Sequence, residues 1–294
     1  MLTENRISSL HRVREISLRR LNNATESEAK DFIAAEEPLE IRVEDQGIAV
    51  VMRTPGEDRE LAAGFLVTEG IIHRLEDVKE IRHRPHCWSK DSNPQNGSAL
   101  VRSEGNVIDV WLKNPALIDL QKLSRHVFTS SSCGICSKAS IAAVRQQFPP
   151  LQGYCEVDPQ VIRELPEALA AVQETFKRTG GLHACALFDL AGRLLALRED
   201  VGRHNALDKI IGWALLEDRL PLSEHILLLS GRTSFEMMQK SLAGGVPIVA
   251  AISAPSSLAV EFARDSGQTL VGFLRGERMN IYAGANRIRS LTLK

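Results

Sequence analysis

The residues best suited to chemistry lie in Thr129-Ser-Ser-Ser-Cys133-Gly-Ile-Cys136-Ser-Lys-Ala-Ser-Ile141. Two thiols stand three positions apart, behind four hydroxyl residues. Ile141, Val144 and Phe148 follow at i, i+3 and i+7, a spacing that predicts an amphipathic helix directly after the thiols. Cysteines ahead of a helix meet unpaired backbone N–H groups and the positive end of the helix dipole, which favour thiolate over thiol. The thiolate is the nucleophile, so the placement points to a cysteine that attacks or carries sulfur. Residues 129–132 carry little apolar surface and predict a loop with little to tie it to a core. Two other readings stay open. Half a zinc site would need two further ligands, for which His83, His86 and Cys87 are the nearest group. A thioredoxin-type disulfide would follow an early strand, whereas this pair falls mid-chain. Burial as small apolar residues is disfavoured by the polar neighbours.

Further stretches carry groups suited to anions. Leu229-Ser230-Gly-Arg-Thr-Ser234 and Ile252-Ser253-Ala-Pro-Ser-Ser257 each read as the end of a strand and the start of a helix. Ligands of open α/β sheets bind at that edge, and helix N-termini favour phosphates. Ser234 and Ser256 could equally be helix caps. Two such junctions side by side, one carrying Arg232, favour a phosphate-bearing ligand. Phe273-Leu274-Arg275-Gly276-Glu277-Arg278 adds two arginines that could grip a diphosphate or line a solvated turn. The densest polar stretch is Arg198-Glu-Asp-Val-Gly-Arg203-His204-Asn205-Ala-Leu-Asp208-Lys209. Its His204 and Asp208, at i and i+4, can touch on a helix, and His204 is a candidate ligand residue.

The elements that must position these groups follow from periodicity. Residues 1–35 read as a polar, partly ordered lead-in with a strand starting near Ile16 and Leu18. Leu39–Val43 and Ile48–Met52 predict a hairpin, and a helix from Glu57 shows one face at Leu61, Gly64, Phe65 and Thr68. Strands at 78–83, 98–103 and 107–113 complete an α+β part with a mainly antiparallel sheet, residues 1–130. The thiol loop and its helix take 131–150, ending at Pro149-Pro150. From 151 to 294 the order is a helix over 162–176, strands at 183–190 and 194–197, then helix 204–216, strand 226–230, helix 235–243, strand 247–252, helix 256–266, and strands 269–274 and 279–282. That alternation predicts parallel βα units in an α/β domain. Ile226–Leu229 is apolar throughout, as a strand buried on both faces should be.

The 294 residues, 44% hydrophobic and 25% charged, suit a globular protein of two domains. A net charge of −1 and 5% aromatics give no reason to expect nucleic acid or an anionic membrane as partner. Neither a signal-peptide h-region nor an apolar run of about 18 residues is seen, so no membrane span is expected. Five cysteines without framework spacing suit a reducing cytoplasm.

Several motifs, taken in order and spacing, resemble the FdhD/NarQ family. They are Ala63-Gly-Phe-Leu-Val-Thr-Glu-Gly-Ile-Ile72, Cys133-Gly-Ile-Cys136, Thr179-Gly-Gly-Leu-His183-Ala, Glu199 through Lys209, Ser230-Gly-Arg-Thr-Ser-Phe-Glu-Met237 and Ser253-Ala-Pro-Ser-Ser-Leu-Ala259. The resemblance implies a sulfurtransferase acting as sulfur carrier for formate dehydrogenase. Sulfur would come from a cysteine desulfurase as a persulfide on Cys133, with Cys136 as partner thiol. It would pass to bis-molybdopterin guanine dinucleotide, with molybdenum or tungsten, contacted by Phe273, Leu274, Arg275, Gly276, Glu277 and Arg278. The family carries Pro-Gly where this chain has Gly276 and Glu277. The resemblance also implies a homodimer and a three-layer C-terminal domain similar to the cytidine-deaminase fold. No metal site is expected there, because His183 is followed by Ala184-Cys185 and no proline precedes Cys133. The alternative reading is a nucleotide-binding regulator whose Cys133 and Cys136 hold a metal or a redox disulfide.

Overall fold

The computed structural model describes residues 12–23, 25–84, 105–117 and 148–290. The thiols Cys133 and Cys136, the helix expected from Ile141 and the strand expected over 98–103 lie outside the described residues.

The lead-in is more regular than its composition suggests. β1 (Val13–Asn22) and β2 (Thr25–Ala34) form an antiparallel ribbon. The alternation of side chains puts Ile16, Leu18, Ala29 and Ile33 on one face. The other face carries the Lys30–Glu15 and Arg19–Glu26 ion pairs, at 2.6 and 3.2 Å. Arg178 stacks over the Phe32 ring, 4.9 Å from its centroid, and ties the ribbon to the body.

The expected hairpin is β3 (Glu37–Val43) and β4 (Gln46–Arg53), followed by α1 (Asp58–Thr68). With β5 (Val78–His83) and β6 (Val107–Leu112) it makes a four-stranded sheet in the order β4-β3-β6-β5. The sheet is antiparallel except between β3 and β6.

The C-terminal part begins with α2 (Pro159–Val172), capped by Asp158, whose carboxylate accepts a bond from the Gln160 N–H at 2.8 Å. The single helix expected over 162–176 is broken at Gln173 and resumes as α3 (Glu174–Thr179). The Glu199 carboxylate caps the new start by accepting from the Phe176 N–H at 3.0 Å, a tertiary contact that local sequence does not carry. There follow β7 (His183–Asp189), β8 (Leu194–Asp200), α4 (Arg203–Leu216), β9 (His225–Leu229), α5 (Phe235–Ala243), β10 (Ile248–Ala251), α6 (Ser257–Asp265), β11 (Thr269–Arg275) and β12 (Arg278–Ala283). The six strands run in the order β12-β11-β10-β9-β7-β8.

β9, β10 and β11 pair in parallel; β7 is antiparallel to β8 and β9, and β12 is antiparallel to β11. The sheet is therefore mixed: the parallel βα units expected from the alternation are β9, β10 and β11, and antiparallel strands flank them on both sides. Its residues face two layers in turn. Ala184, Ala186, Phe188, Ile226 and Leu228 pack on α2, while Cys185, Leu187, Leu227 and Leu229 pack on the α4, α5 and α6 side. The result is the expected three-layer α/β arrangement.

The second core runs without a break from this sheet through α4 and α1 to the four-stranded sheet. Helices α1 and α4 cross backbone to backbone at Gly64 and Gly212. A Cβ on Gly64 would stand 1.7 Å from the Asp208 carbonyl oxygen, and one on Gly212 would stand 1.8 Å from that of Glu60. Glycine at both positions is what allows the two halves to share a core.

Candidate functional site

The mixed topology gathers the chemistry-bearing stretches at one sheet edge. The parallel strands β9, β10 and β11 end there, β8 ends there beside them, and the antiparallel β7 and β12 begin there. His183, Asp200–His204, Ser230–Ser234, Ser253–Ser256 and Phe273–Arg278 thus line a single rim. Backbone bonds stitch them together: Thr233 N–H to Ala254 carbonyl at 3.1 Å, Ser256 N–H to Thr233 carbonyl at 2.9 Å, and Phe273 N–H to Ser253 carbonyl at 3.1 Å. The Ser230 hydroxyl accepts from the Ala184 N–H at 2.9 Å.

The two hydroxyl junctions differ. The Ser256 hydroxyl caps α6, accepting from the Ala259 N–H at 3.2 Å. Ser234 occupies the same position on α5 but makes no capping bond. Its hydroxyl, that of Thr233 and the Nε of Arg203 are shielded from solvent without a hydrogen-bond partner among the described residues. Orphaned buried donors are uncommon and call for a partner. Here they stand beside a helix N-terminus and near the Arg232 and Arg203 guanidinium groups, which is what an anion with several oxygens requires.

The polar stretch from Arg198 to Lys209 divides in two. Most of it clasps residues 52–60. Arg198 pairs with Glu60, the Asn205 amide donates to the Met52 carbonyl at 2.7 Å, and buried Lys209 donates to the Thr54 carbonyl at 3.0 Å. Asp200, fully buried, accepts from the N–H groups of Thr54 and Gly202, at 3.1 and 2.8 Å, and pairs with Lys209 at 2.9 Å. Burial lowers the Lys209 pKa, and Asp200 acts against that. Only Arg203 and His204 remain for the rim. The expected His204–Asp208 contact is not made. His204 Nε2 lies 2.8 Å from Glu236 Oε2, while Asp208 turns inward to Lys240 and Thr68.

The hairpin between β11 and β12 holds the remaining expected residues. Phe273 sits at a bulge with φ +51° and 41% of its surface exposed. A bulky residue in the left-handed region costs on the order of 1–2 kcal/mol. Strain of that kind gathers at ligand sites. Arg275, Gly276, Glu277 and Arg278 are exposed, with Arg275 and Arg278 paired across a tight turn where Gly276 has φ +52°. Leu274 is wholly buried in the core on the α2 side, so its side chain cannot touch a ligand at the rim.

Sequence reasoning did not single out His183 as a site residue. It opens β7, and its ring lies over Gly231, with Nδ1 3.2 Å from where a Cβ there would stand. Half-burial lowers its pKa, and Arg203, His204 and Arg232 lower it further, against Asp200. The signal for it was the antiparallel run of β7, which the strand pattern does not carry. The described cysteines Cys155 and Cys185 are free and buried, and burial pushes both thiols up.

A profile of the FdhD/NarQ family matches residues 34–289. The chain belongs to the FdhD/NarQ family. It is 48% identical over 276 residues to the sulfur carrier protein FdhD of Nocardia farcinica, covering 93% of this chain and 94% of that one. It is 41% identical over 280 residues to the sulfur carrier protein FdhD of the archaeon Saccharolobus solfataricus, covering 94% and 98%. A crystal structure of a protein assigned as a formate dehydrogenase accessory protein from Desulfotalea psychrophila superposes with a TM-score of 0.69. It shares 26% identity over 94% of this chain and 99% of that one.

Proposed function

We propose that this chain is a sulfur carrier for formate dehydrogenase, working as a sulfurtransferase through a cysteine persulfide. A cysteine desulfurase persulfide meets the Cys133 thiolate. A new S–S bond forms on Cys133 as the donor's S–S bond breaks and its thiolate leaves. Cys136 stands by as relay or resolving thiol. Delivery breaks the new S–S bond: the Cys136 thiolate attacks the Cys133 sulfur and a Cys133–Cys136 disulfide forms. The outer sulfur leaves at the sulfide level to bis-molybdopterin guanine dinucleotide, bound as substrate with molybdenum or tungsten at the rim. A thiol reductant then reopens the disulfide. In this reading the thiol segment, 131–150, lies between an α+β part, 1–130, and the α/β part, 151–294. The working form is a cytoplasmic homodimer that meets the desulfurase and formate dehydrogenase in turn.

The observation that carries this reading is the rim itself. Donors at Arg203, Thr233 and Ser234 that lack a partner among the described residues, with exposed Arg232, Arg275 and Arg278, suit a ligand that carries diphosphates. The substrate's guanine dinucleotide arms have that chemistry. Arg203 and Arg232 would hold phosphate oxygens, His204 would be fixed by Glu236, and Phe273 would offer an exposed ring to a flat group.

The test has two arms. Purified protein exposed to a desulfurase and cysteine should gain the mass of one sulfur on Cys133 and not in Cys133→Ala. Cells carrying only Cys133→Ala should make inactive formate dehydrogenase although the variant folds. Normal formate dehydrogenase activity in those cells would refute the assignment. Stoichiometric zinc on the purified protein, without a sulfur gain, would favour the regulator reading instead.

A further inference from the structure

We propose that His183 contacts the ligand at the rim and takes up a proton when a phosphate-bearing anion binds there. The inference rests on the reading of the rim as an anion site and names a residue and a proton that this reading does not include.

His183 is the first residue of β7 and pairs with Asp200 at the end of β8. Because β7 runs antiparallel to β9, with Cys185 opposite Leu229, its start projects beyond the sheet to the level of Gly231. Glycine there lets the ring close over the Ser230–Ser234 junction; a Cβ would stand 3.2 Å from Nδ1. The ring is only half-buried, and no hydrogen bond to it is seen among the described residues.

Arg203 and His204 face His183 from α4, Arg232 from the β9–α5 junction, and Asp200 from β8. The single acid in that set is already engaged: Asp200 accepts from Thr54, Gly202 and Asn205 and pairs with Lys209. The next acid, Glu236, is turned to His204. Without a ligand, burial first and then the neighbouring Arg203, His204 and Arg232 keep the His183 pKa low, and the ring stays neutral near pH 7. A diphosphate seated among Arg203, Arg232 and Ser234 brings two or more negative charges beside the ring and reverses that balance. Protonated, the imidazole becomes a second charged donor to the anion.

The sign follows from linkage. The free pKa is depressed and the bound pKa is raised, so binding draws in a proton between the two values. Affinity is greatest below the free pKa and falls as pH rises toward the bound one. A neutral ring held only for packing against Gly231 would bind no proton.

The experiment is calorimetry on the full chain with GDP and with inorganic pyrophosphate as probes, near neutral pH, in two buffers of different ionisation enthalpy. The ligand phosphate's own ionisation is common to all variants and cancels in the difference between proteins. Wild type should take up several tenths of a proton more than His183→Gln. The variant should bind ~3- to 10-fold more weakly at about pH 6 and approach wild type at about pH 8. His183→Lys, a permanent cation, should restore affinity at both pH values and take up no proton, which a packing role would not allow. Equal proton uptake by wild type and His183→Gln at measurable affinity would overturn this inference and leave the anion site standing. Failure of wild type to bind either probe would overturn the anion site and this inference with it.

Discussion

Lys240 offers the sharpest test of how the two halves are joined. Its Nζ donates to both oxygens of Asp208, each at 2.9 Å, and to the Thr68 hydroxyl at 2.8 Å. Asp208 and Thr68 are 2% and 3% exposed, so the three groups form a nearly dry cluster where α1, α4 and α5 meet. Replacing Lys240 by Met keeps the side-chain length but leaves a carboxylate with one hydroxyl donor in a low-dielectric seam. Breaking a buried pair in this way costs about 3–5 kcal/mol. Removing both charges with Lys240→Met and Asp208→Leu leaves no orphan, so the double variant should recover at least ~2 kcal/mol of that loss. The pH dependence follows from the raised Lys240 pKa: burial opposes the charge, but Asp208, with Glu69, outweighs it. A raised lysine contributes stability fully below its unfolded value of about 10.4 and loses it as pH rises through the folded one. The gap between wild type and Lys240→Met should therefore be flat through neutral pH and close only in strong alkali. Urea unfolding across that range measures it. A single variant within about 1 kcal/mol of wild type, or a double variant no more stable than the single, would refute the view that the cluster is a dry, mutually dependent pair.

The helix crossing should tolerate no side chain. Gly212→Ala is expected to lose about 1–3 kcal/mol in urea unfolding as α1 and α4 are forced apart. Ser256→Ala should cost about 1 kcal/mol by loss of a cap, whereas Ser234→Ala should leave thermal stability nearly unchanged and weaken GDP binding. Arg275→Ala and Arg278→Ala should each weaken GDP binding by roughly 1.5–3 kcal/mol for every charge-assisted bond lost, read by calorimetry. Unchanged affinity in both would place the ligand away from the β11–β12 hairpin.

Much of the C-terminal architecture was legible because its strands and helices announce themselves by period. The helix read over 235–243 is α5 residue for residue, and the apolar run at 226–229 is the centre of the sheet. Strand direction was not legible. A strand buried on both faces has the same apolar pattern whether its neighbours run with it or against it, and β7, β8 and β12 run against at least one of theirs. That one missing fact concealed His183, whose place at the rim depends on β7 entering the sheet from that edge. The β1–β2 ribbon was concealed differently. More than half of its positions are charged or hydroxylated, and apolar residues lie on both faces, so the sequence reads as polar before it reads as paired.

The Arg198–Lys209 stretch shows where residue type alone misleads about a site. A crowd of charges beside a histidine suggests a ligand, yet six of the groups in this crowd serve the fold. Arg198, Asp200, Asn205 and Lys209 hold residues 52–60, Glu199 caps α3, and Asp208 neutralises Lys240. The two that remain are those at the helix N-terminus, where backbone N–H groups also point outward. The distinction is one of partners: each of the six has a protein partner of opposite polarity, whereas Arg203 Nε has none among the described residues. The clasp also serves the rim. Asp200 fixes the turn at Gly202 and so sets the direction in which Arg203 and His204 leave the sheet. Substituting Asp200 should thus disturb the fold and the anion site together, while substituting Arg203 should disturb the anion site alone.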